Sequence, residues 1–264
     1  MERSYLIVAL VAGCGSVNDS QPTDAAVVID APATVHLMDG CIYKAAMDEA
    51  AWPATGKPVL DGCGSDVGGL SGSGAMPIAD AIRGQVGNFS DNACIDVANS
   101  AQLHGAGALT MAAWVRPIAL DGSTSNGIIS KRNDKSVQSE FGLFLWTRYH
   151  AWIDLGDTDR YEGSIQLVNN QWAHVVAIFD GGAPDADRVR LYINGHRDQQ
   201  VVHSTAGNLK ATLPTYTAPL HIGCVPAPSA TPATQQTFQG QLDDVTIWNR
   251  ALNDDELATL ATPR

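Results

Sequence analysis

The stretch FQGQLDDVTIWNRALNDDEL, residues 238–257, decides the fold of this sequence. In its first half, Val245 and Ile247 alternate with polar or aromatic positions, which is the period of a strand that buries one face. In its second half, Asn253 stands where a helix N-cap belongs, and Glu256 follows three residues later as in a capping box. The stretch therefore predicts a closing strand followed by a short C-terminal helix, and it gives the acidic residues of that helix a structural role.

Strand-like runs recur along the rest of the chain between turn residues, and helix-like periodicity is almost absent. The clearest runs are residues 108–117, 141–146, 150–155, 172–180 and 187–195. The last run ends in Asn-Gly, which adopts the two positive φ angles of a type I′ hairpin turn. The second and third runs are separated by a short connection and predict another hairpin. Many short strands with regular turns predict an all-β fold in which two antiparallel sheets form a sandwich.

Length and charge narrow the classes of protein to consider. A chain of 264 residues is long enough to bury a full-sized core in one β-sandwich domain. Its formal net charge is -12, and it has no basic run interleaved with aromatic residues. Nucleic acid, which is itself strongly anionic, is therefore not an expected partner.

The N-terminus has the composition of a targeting segment. Residues 6–13 (LIVALVAG) form an unbroken small and apolar run with the length of a signal-peptide core, and Cys14 follows directly. Residues 11–14 (VAGC) resemble a bacterial lipobox, in which the cysteine is acylated and becomes the mature N-terminus. Residues 1–14 are accordingly predicted to be a signal peptide with a lipobox. A cleaved secretory signal and an apolar first strand are the alternatives.

The next segment, residues 15–35, is small, polar and punctuated by proline, with no sustained period. This composition predicts a flexible tether, and residues 36–264 are predicted to form the sandwich domain. Anchor and tether together predict a bacterial cell-envelope protein that faces the periplasm or the cell exterior, or otherwise a secreted protein. The membrane is then reached only through a lipid on Cys14.

The remaining cysteines predict disulfides. Outside the signal peptide the chain has four, an even number that favours two disulfides in an oxidising compartment: Cys41, Cys63, Cys94 and Cys224. Their spacing lacks the Cys-x-x-Cys or Cys/His pattern of a zinc site. Three pairings are possible, and the spacing does not choose among them.

Six segments, taken in order, carry a resemblance to a known family: NFSDNACIDV (88–97), LTMAAWVRP (109–117), WAHVVAIFDG (172–181), VRLYING (189–195), LHIG (220–223) and the opening stretch (238–257). Together they resemble laminin-G-like jelly rolls of the concanavalin A-like lectin/glucanase superfamily, in its bacterial, pentraxin-related branch. The resemblance covers about residues 41–260. It implies two antiparallel sheets packed face to face, with residues 42–46 beside residues 245–248. Because the superfamily includes lectins, glycosidases and adhesion modules, the fold implies no single function.

The resemblance also implies a candidate calcium site. Many relatives hold calcium through oxygens of the loop before the strand that matches residues 91–97, and Asp91 and Asn92 match the acid–amide pair used there. Asp243 would add a third ligand, because its face of the closing strand is expected to differ from that of Asp244. The loop after residues 220–223 departs from the pattern, since it reads CVPAPSATPATQQ and has no acid. Ca²⁺ is therefore a candidate cofactor, and no cofactor is certain.

The same resemblance suggests how the cysteines pair. It places Cys94 after one half of the calcium site and Cys224 at the start of the other half. It therefore implies a Cys94–Cys224 disulfide, which would join the loops that calcium bridges in relatives. Cys41 and Cys63 are then implied to form the second disulfide, which ties the N-terminal strand to the next segment.

Aromatic residues of the predicted 141–155 hairpin form the candidate ligand-binding site. Trp146, Tyr149 and Trp152 offer rings on which a sugar can stack, and Arg148 lies at the tip between them. A two-residue connection would put Trp146 and Tyr149 on one face and Trp152 on the other. Both faces of the hairpin are apolar enough for these rings to be core residues instead.

The sequence contains no recognisable catalytic pair. The glucanase branch of the superfamily uses paired glutamates on one strand, but the five glutamates here are isolated from one another: Glu2, Glu49, Glu140, Glu162 and Glu256. His174, in the run 172–180, is expected to be a structural core histidine with a hydrogen-bond partner. The leading interpretation is thus a non-catalytic surface binding or adhesion module that recognises an extracellular glycan or protein.

Two alternatives belong to other classes of function. A glycan-active enzyme on the same fold would need an unfamiliar acid pair drawn from Asp154, Asp157 and Asp159. A purely structural envelope lipoprotein would instead present a flat face without aromatic residues. Convergence of two carboxylates in one cleft is the structural feature that separates the enzyme from the other two.

Overall fold

Two β-sheets pack face to face in the structure, which confirms the predicted all-β sandwich. The predicted signal peptide with Cys14 and the predicted tether lie outside the described residues, as do Asp91, Asn92 and Arg148. Within the described ranges, no helix is long and apolar enough to span a bilayer. The computed structural model describes residues 36–53, 56, 58–64, 66, 68–71, 74–90, 93–105, 107–118, 126–134, 137–146, 149–203, 209–227 and 234–263.

The strands and the α-helix of these residues have the following bounds in chain order: β1 (Cys41–Ala45), β2 (Gly68–Ser71), β3 (Met76–Asp80), β4 (Gly84–Phe89), β5 (Cys94–Val97), β6 (Ala108–Pro117), β7 (Asn126–Asp134), β8 (Val137–Trp146), β9 (His150–Leu155), β10 (Asp159–Gln166), β11 (Ala173–Asp180), β12 (Val189–Ile193), β13 (His196–Arg197), β14 (Val202–His203), β15 (Leu220–Ile222), β16 (Cys224–Ala227), β17 (Thr234–Thr237), β18 (Gly240–Trp248) and α1 (Asp254–Leu260). Sheet A has the strand order β13-β12-β11-β6-β18-β4-β3, and β1 also pairs with β18. Sheet B has the order β14-β10-β9-β8-β7-β15-β5-β2, and the β16–β17 hairpin joins it through β7.

The two sheets bury their facing side chains in one apolar cluster. In β6, Leu109, Met111, Ala113 and Val115 all belong to this cluster, so the predicted alternation of that strand is confirmed. Strand β11 lies between β6 and β12 and is buried on both faces, as expected of an internal strand. Because each buried apolar side chain contributes roughly 1.5–3 kcal/mol, this cluster is the main source of the domain's stability.

The C-terminal strand β18 closes sheet A. One of its edges pairs with β6 from Gly240 to Trp248, with one bulge on the way. Its other edge pairs first with β4 and then with β1. Strand β1 therefore lies beside residues 245–248, as the resemblance implies, and strands from the two ends of the domain meet in the middle of the sheet.

The turn between β12 and β13 has the predicted conformation. Asn194 and Gly195 have φ angles of 53° and 77°, both positive as a type I′ turn requires. The Asn194 side chain also accepts a hydrogen bond from the backbone N–H of His174, which ties the turn to β11.

Helix α1 begins with the predicted capping box. Asn253 accepts a hydrogen bond from the backbone of Glu256, and the Glu256 carboxylate accepts one from the backbone of Asn253. Leu252 packs with Trp248 on the outer face of sheet A, the face turned away from sheet B. Arg250 donates hydrogen bonds of 2.8 and 2.6 Å to the Glu256 carboxylate, so the cap is fastened to the end of β18.

Two disulfides join distant parts of the described chain, Cys41–Cys63 and Cys94–Cys224. These are the pairs that the resemblance implies. The first disulfide closes a loop with a sequence separation of 22 and ties β1 to the following segment. The second has a separation of 130 and ties β5 to β16, and both of its cysteines are buried.

We expect loss of the Cys94–Cys224 disulfide to destabilise the domain more than loss of the Cys41–Cys63 disulfide. In the chain-entropy model, the longer loop contributes about 5 kcal/mol and the shorter about 3 kcal/mol, because cross-linking a longer loop removes more entropy from the unfolded chain. The measurement is the free energy of unfolding in urea of two double variants, Cys94→Ala/Cys224→Ala and Cys41→Ala/Cys63→Ala. Equal losses would show that loop length does not govern the effect here.

Glu256 is expected to make the stability depend on pH. Hydrogen bonds from Arg250 lower the pKa of the Glu256 carboxyl below its ordinary value; burial opposes this effect, and a bond from the Asn253 backbone adds to it. Because the folded pKa is the lower one, this stabilisation is present above the unfolded pKa, about 4.3, and is lost as the pH falls through the folded pKa. We therefore expect Glu256→Gln to lower the Tm at pH 7, by about 2–4 °C per kcal/mol lost.

The matched control for this variant is Asp255→Asn, which changes an exposed acid in the same helical turn. At neutral pH it should lower the Tm less than Glu256→Gln does, because an exposed acid in the first helical turn contributes only about 0.3–1 kcal/mol. The Tm difference between Glu256→Gln and the parent protein should shrink towards zero well below the unfolded carboxyl pKa. A difference of the same size at both pH values would contradict the assignment to the ionised carboxylate.

Candidate ligand-binding face of sheet B

The outer face of sheet B carries two of the predicted aromatic residues. In β8 and β9, Leu143, Leu145 and Ile153 belong to the core between the sheets. Because successive residues of a strand point to opposite sides, Trp146 and Trp152 point away from that core. This outer face is therefore the place to test the predicted ligand site.

The connection between β8 and β9 brings these two rings together. Trp146 pairs with His150 across the strands, so the connection has three residues. Trp146 and Trp152 therefore share one face, and their ring centroids lie 5.2 Å apart. The two-residue connection considered from the sequence, which would separate the rings, does not form. Tyr149, with a φ of 66°, is the additional residue that shifts the register by one.

Tyr149 does not join the two tryptophans. It is half-buried and packs against the core between the sheets. Arg148, the fourth predicted ligand residue, lies outside the described residues. Phe144 takes part instead, because its ring stacks 6.5 Å from that of Trp152. The sequence did contain a signal for it, since Phe144 lies two residues before Trp146 and shares its face. We call Phe144, Trp146 and Trp152 the aromatic cluster.

Arg160 of β10 lies over the aromatic cluster. Its guanidinium carbon is 5.6 Å from the ring centroid of Phe144 and 5.5 Å from that of Trp146, within the range of cation–π attraction. Asp154 accepts hydrogen bonds of 2.6 Å from Arg160 Nε and 3.0 Å from Arg160 Nη2. These bonds raise the pKa of Arg160 above its ordinary value, so the side chain remains a cation over the rings.

Arg132 of β7 approaches Asp154 from the other side. Its Nη2 atom donates a hydrogen bond of 2.9 Å to Asp154 Oδ2. Gly142 lies on β8 between the two strands, and a Cβ atom there would come within 2.7 Å of Arg132 Nη2. The lack of a side chain at Gly142 thus leaves room for a row of alternating charge beside the aromatic cluster. We call Arg132, Asp154 and Arg160 the charged row.

Two polar atoms on this face lack a hydrogen-bond partner. The Trp152 Nε1 and Ser130 Oγ atoms are buried, and neither has a hydrogen-bond partner among the described residues. Ser130 pairs with Gly142 and His221 and follows Ile129 of the core, so its side chain lies on the outer face. A buried polar group without a partner costs about 1–3 kcal/mol, so these two atoms lower the stability of the folded domain.

The three acids of the enzyme alternative are each held by a different partner. Both oxygens of Asp154 accept hydrogen bonds from guanidinium groups. Asp157 accepts a hydrogen bond of 2.5 Å from the Tyr216 hydroxyl, and Asp159 Oδ1 lies 3.1 Å from His203 Nε2. Asp157 and Asp159 line one cleft of about 390 Å³ at the end of the β9–β10 hairpin. Asp157 and Asp159 therefore meet in one cleft, each bonded to a neighbouring side chain, Tyr216 or His203, and the enzyme alternative rests on these two acids.

Asp243, the predicted third calcium ligand, lies on the outer face of sheet A. A β-bulge in β18 adds a residue after it, and Asp244 there has a φ of 47°. Arg83 binds both aspartates, Asp243 through Nε at 2.6 Å and Asp244 through Nη2 at 2.9 Å. The expectation that the two carboxylates lie on different faces is therefore wrong, because the bulge breaks the alternation. Asp91 and Asn92 lie outside the described residues, and the calcium site stays a prediction.

Three solved structures are similar to this one. Domain 4 of AbnA, a GH43 extracellular arabinanase from Geobacillus stearothermophilus, in complex with arabinotriose, has a TM-score of 0.59 and 17% identity, covering 84% of this chain and 98% of that chain. The binding domain of Paraclostridial Mosquitocidal Protein 1 has a TM-score of 0.59 and 15% identity, covering 86% and 52%. The binding domain of botulinum neurotoxin DC, in complex with rat synaptotagmin II, has a TM-score of 0.59 and 11% identity, again covering 86% and 52%. At these identities the likeness establishes the fold alone.

The sequence also matches a family model. A laminin G model, described as Concanavalin A-like lectin/glucanases superfamily, matches residues 89–258, which is more than half of the chain. No curated protein matches the sequence significantly. The matched range runs from before β5 to within α1 and includes the aromatic cluster and the charged row. The order of strands, the sandwich and the sequence match agree, and the chain belongs to the concanavalin A-like lectin/glucanase superfamily.

Proposed function

We propose that this domain is a non-catalytic binding or adhesion module that holds an extracellular glycan on the outer face of sheet B. The observation that carries the proposal is the aromatic cluster, covered by Arg160 and bordered by the charged row. Aromatic rings stack on the apolar faces of sugar rings, while guanidinium and carboxylate groups bond to hydroxyl groups. Domain 4 of AbnA has this fold and is in complex with arabinotriose, which supports an oligosaccharide as the ligand class.

The face supplies both kinds of contact that a sugar requires. The Trp146 ring is half-buried, so part of it remains open for stacking. The Arg160 side chain is 30% exposed beside that ring, so its guanidinium lies at the surface next to a bound sugar. A sugar ring stacked on Trp146 would therefore meet polar partners at its hydroxyl edge.

A protein is the second candidate ligand. The binding domain of botulinum neurotoxin DC has this fold and is in complex with the protein synaptotagmin II. Tryptophan and arginine are also the residues that dominate the energy of protein interfaces. We rank the glycan first because the partly open ring of Trp146, next to the exposed guanidinium of Arg160, suits the apolar face and the hydroxyl edge of a sugar ring.

We also propose that the domain is held at a bacterial cell envelope by a lipid on Cys14 and by the tether of residues 15–35. The lipobox-like segment and the two disulfides support this, because disulfides persist in oxidising compartments. Metabolic labelling with an alkynyl fatty acid tests the anchor. The label should enter the parent protein and be absent from Cys14→Ala; equal labelling of both would refute acylation at Cys14.

We expect Trp146→Ala to weaken glycan binding at least tenfold, because it removes the most open ring of the aromatic cluster. A tenfold loss corresponds to about 1.4 kcal/mol, within the range for a central aromatic contact. A glycan array identifies the best ligand, and isothermal titration calorimetry then compares the variant with the parent protein.

The control for Trp146→Ala is Ile118→Ala, which removes an exposed apolar side chain after β6, outside the aromatic cluster. It should leave affinity unchanged. If Trp146→Ala and the parent protein bind the glycan with equal affinity, the outer face of sheet B is not the binding site. Hydrolysis of a polysaccharide that is abolished by Asp157→Asn would instead establish the enzyme alternative.

Chelation is expected to leave glycan binding on this face intact. The aromatic cluster and the charged row provide their own donors and acceptors, and Asp243 is already paired with Arg83 on the other sheet. The same array and titration, run with Ca²⁺ and then with EDTA, check this expectation. Loss of binding in EDTA, reproduced by Asp91→Ala in the presence of Ca²⁺, would move the ligand site to the predicted calcium loop.

A further inference from the structure

A second cleft lies on the opposite side of the sandwich, between the outer face of sheet A and the end of α1. Its volume is about 200 Å³. Trp114 of β6 and His174 of β11 line its sheet side, while Thr259 and Thr262 line its helix side. It shares no residue with the aromatic cluster or the charged row, so nothing in the proposed function explains it.

Arg83 is fixed inside this cleft with one donor nitrogen unused. Its guanidinium carbon lies 4.2 Å above the Trp114 ring, and its Nε and Nη2 atoms bind Asp243 and Asp244. The residue is only 4% exposed, and its Nη1 atom has no hydrogen-bond partner among the described residues. Because the other two nitrogens hold the guanidinium in place, Nη1 is a preorganised donor.

His174 supplies the second unused polar atom. Its ring centroid lies 5.2 Å from that of Trp114, and the residue is 2% exposed. Its Nδ1 atom has no hydrogen-bond partner among the described residues, so the partner expected from the sequence is not found at this nitrogen. Burial, and to a lesser extent the charge of Arg83, lowers the pKa of His174 to about 3. The ring is therefore neutral at physiological pH, and Nδ1 can accept a hydrogen bond in the tautomer protonated at Nε2.

The other groups in the cleft favour a neutral ligand that carries hydroxyl groups. The cations Arg83 and Lys44 face the anions Asp243 and Asp244, so the local charges cancel. The threonine hydroxyls of the cleft donate to backbone carbonyl groups and keep their oxygens as acceptors: Thr246 to Asp244, Thr259 to Asp255 and Thr262 to Ala258. A group that both accepts from Arg83 and donates to a neutral acceptor matches this pattern, and a hydroxyl does both.

We propose that this cleft binds one neutral sugar residue of a glycan, with a hydroxyl that accepts from Arg83 Nη1 and donates to His174 Nδ1. The cleft volume of about 200 Å³ equals that of about six or seven waters at roughly 30 Å³ each, which is enough for one sugar residue while the rest of the glycan lies outside the cleft. The domain would then carry sugar-binding sites on the outer faces of both sheets. Such a module is able to bridge two glycan chains, a property that a single site on sheet B does not confer.

The test uses the full chain carrying Trp146→Ala, so that the site on sheet B is disabled. Saturation-transfer NMR and titration follow the binding of D-glucose, D-galactose, D-mannose, L-arabinose and N-acetyl-D-glucosamine. We expect at least one of these sugars to bind, and we expect His174→Leu to weaken it at least tenfold. His174→Asn, which keeps a polar atom near the position of Nδ1, should recover part of the affinity.

A second variant blocks the cleft without touching its buried ions. Thr259→Met should fill the helix side and also weaken binding at least tenfold, whereas Ala258→Met, on the neighbouring exposed position of α1, should not. If His174→Leu fails to fold, Thr259→Met still tests the proposal. Binding that survives Thr259→Met would overturn the proposal, and so would the absence of binding by every sugar of the panel. Crystals soaked in the sugars that show only water at Arg83 Nη1 and His174 Nδ1 would overturn it as well.

Discussion

The hydrogen bonding of β18 to three neighbours is the constraint on which the rest of sheet A depends. It pairs with β6 on one edge and with β4 and then β1 on the other. The bulge at residues 243–244 lies where the partner changes from β4 to β1, and it turns two carboxylates to the same side. Arg83 binds both, and together with Lys44 it balances their charge; without Arg83 the buried carboxylate of Asp243 would lose the partner that offsets its desolvation. The ion pairs of Arg83 with Asp243 and Asp244 on the outer face of sheet A therefore result from the bulge in β18.

The two outer faces have different chemistry although they belong to one sandwich. Helix α1 covers part of sheet A, where Leu252 and Leu257 pack against Trp248 and leave the cleft of Arg83 and His174 beside them. Sheet B instead carries the aromatic cluster and the charged row, of which Trp146 and Arg160 are the members with appreciable exposure. Both faces combine rings with a guanidinium that a carboxylate fixes in place. In each case the salt bridge holds the guanidinium group in one orientation, so an arginine side chain that is otherwise mobile becomes an oriented hydrogen-bond donor.

Much of the fold was predictable because it depends on local patterns. The alternation in β6, the Asn194–Gly195 turn and the Asn253–Glu256 capping box were predicted and are confirmed. Part of the candidate site was predictable in the same way, since Trp146 and Trp152 were selected as rings on one hairpin. The position of Arg160 was not predictable from the sequence, because only the pairing of β10 with β9 places this residue over the aromatic rings.

The sequence by itself determined the longer strands such as β6, β11 and β18, the core-facing side of β6, and the superfamily to which the chain belongs. Only the tertiary structure decided which outward-facing residues meet. A left-handed residue at Tyr149 and another at Asp244 each shift the alternation by one position, and such shifts depend on φ angles that a period-two pattern does not encode. Register across neighbouring strands then set the charged row and the Arg83 pairs, because side chains far apart in the chain come into contact only after the sheets have formed.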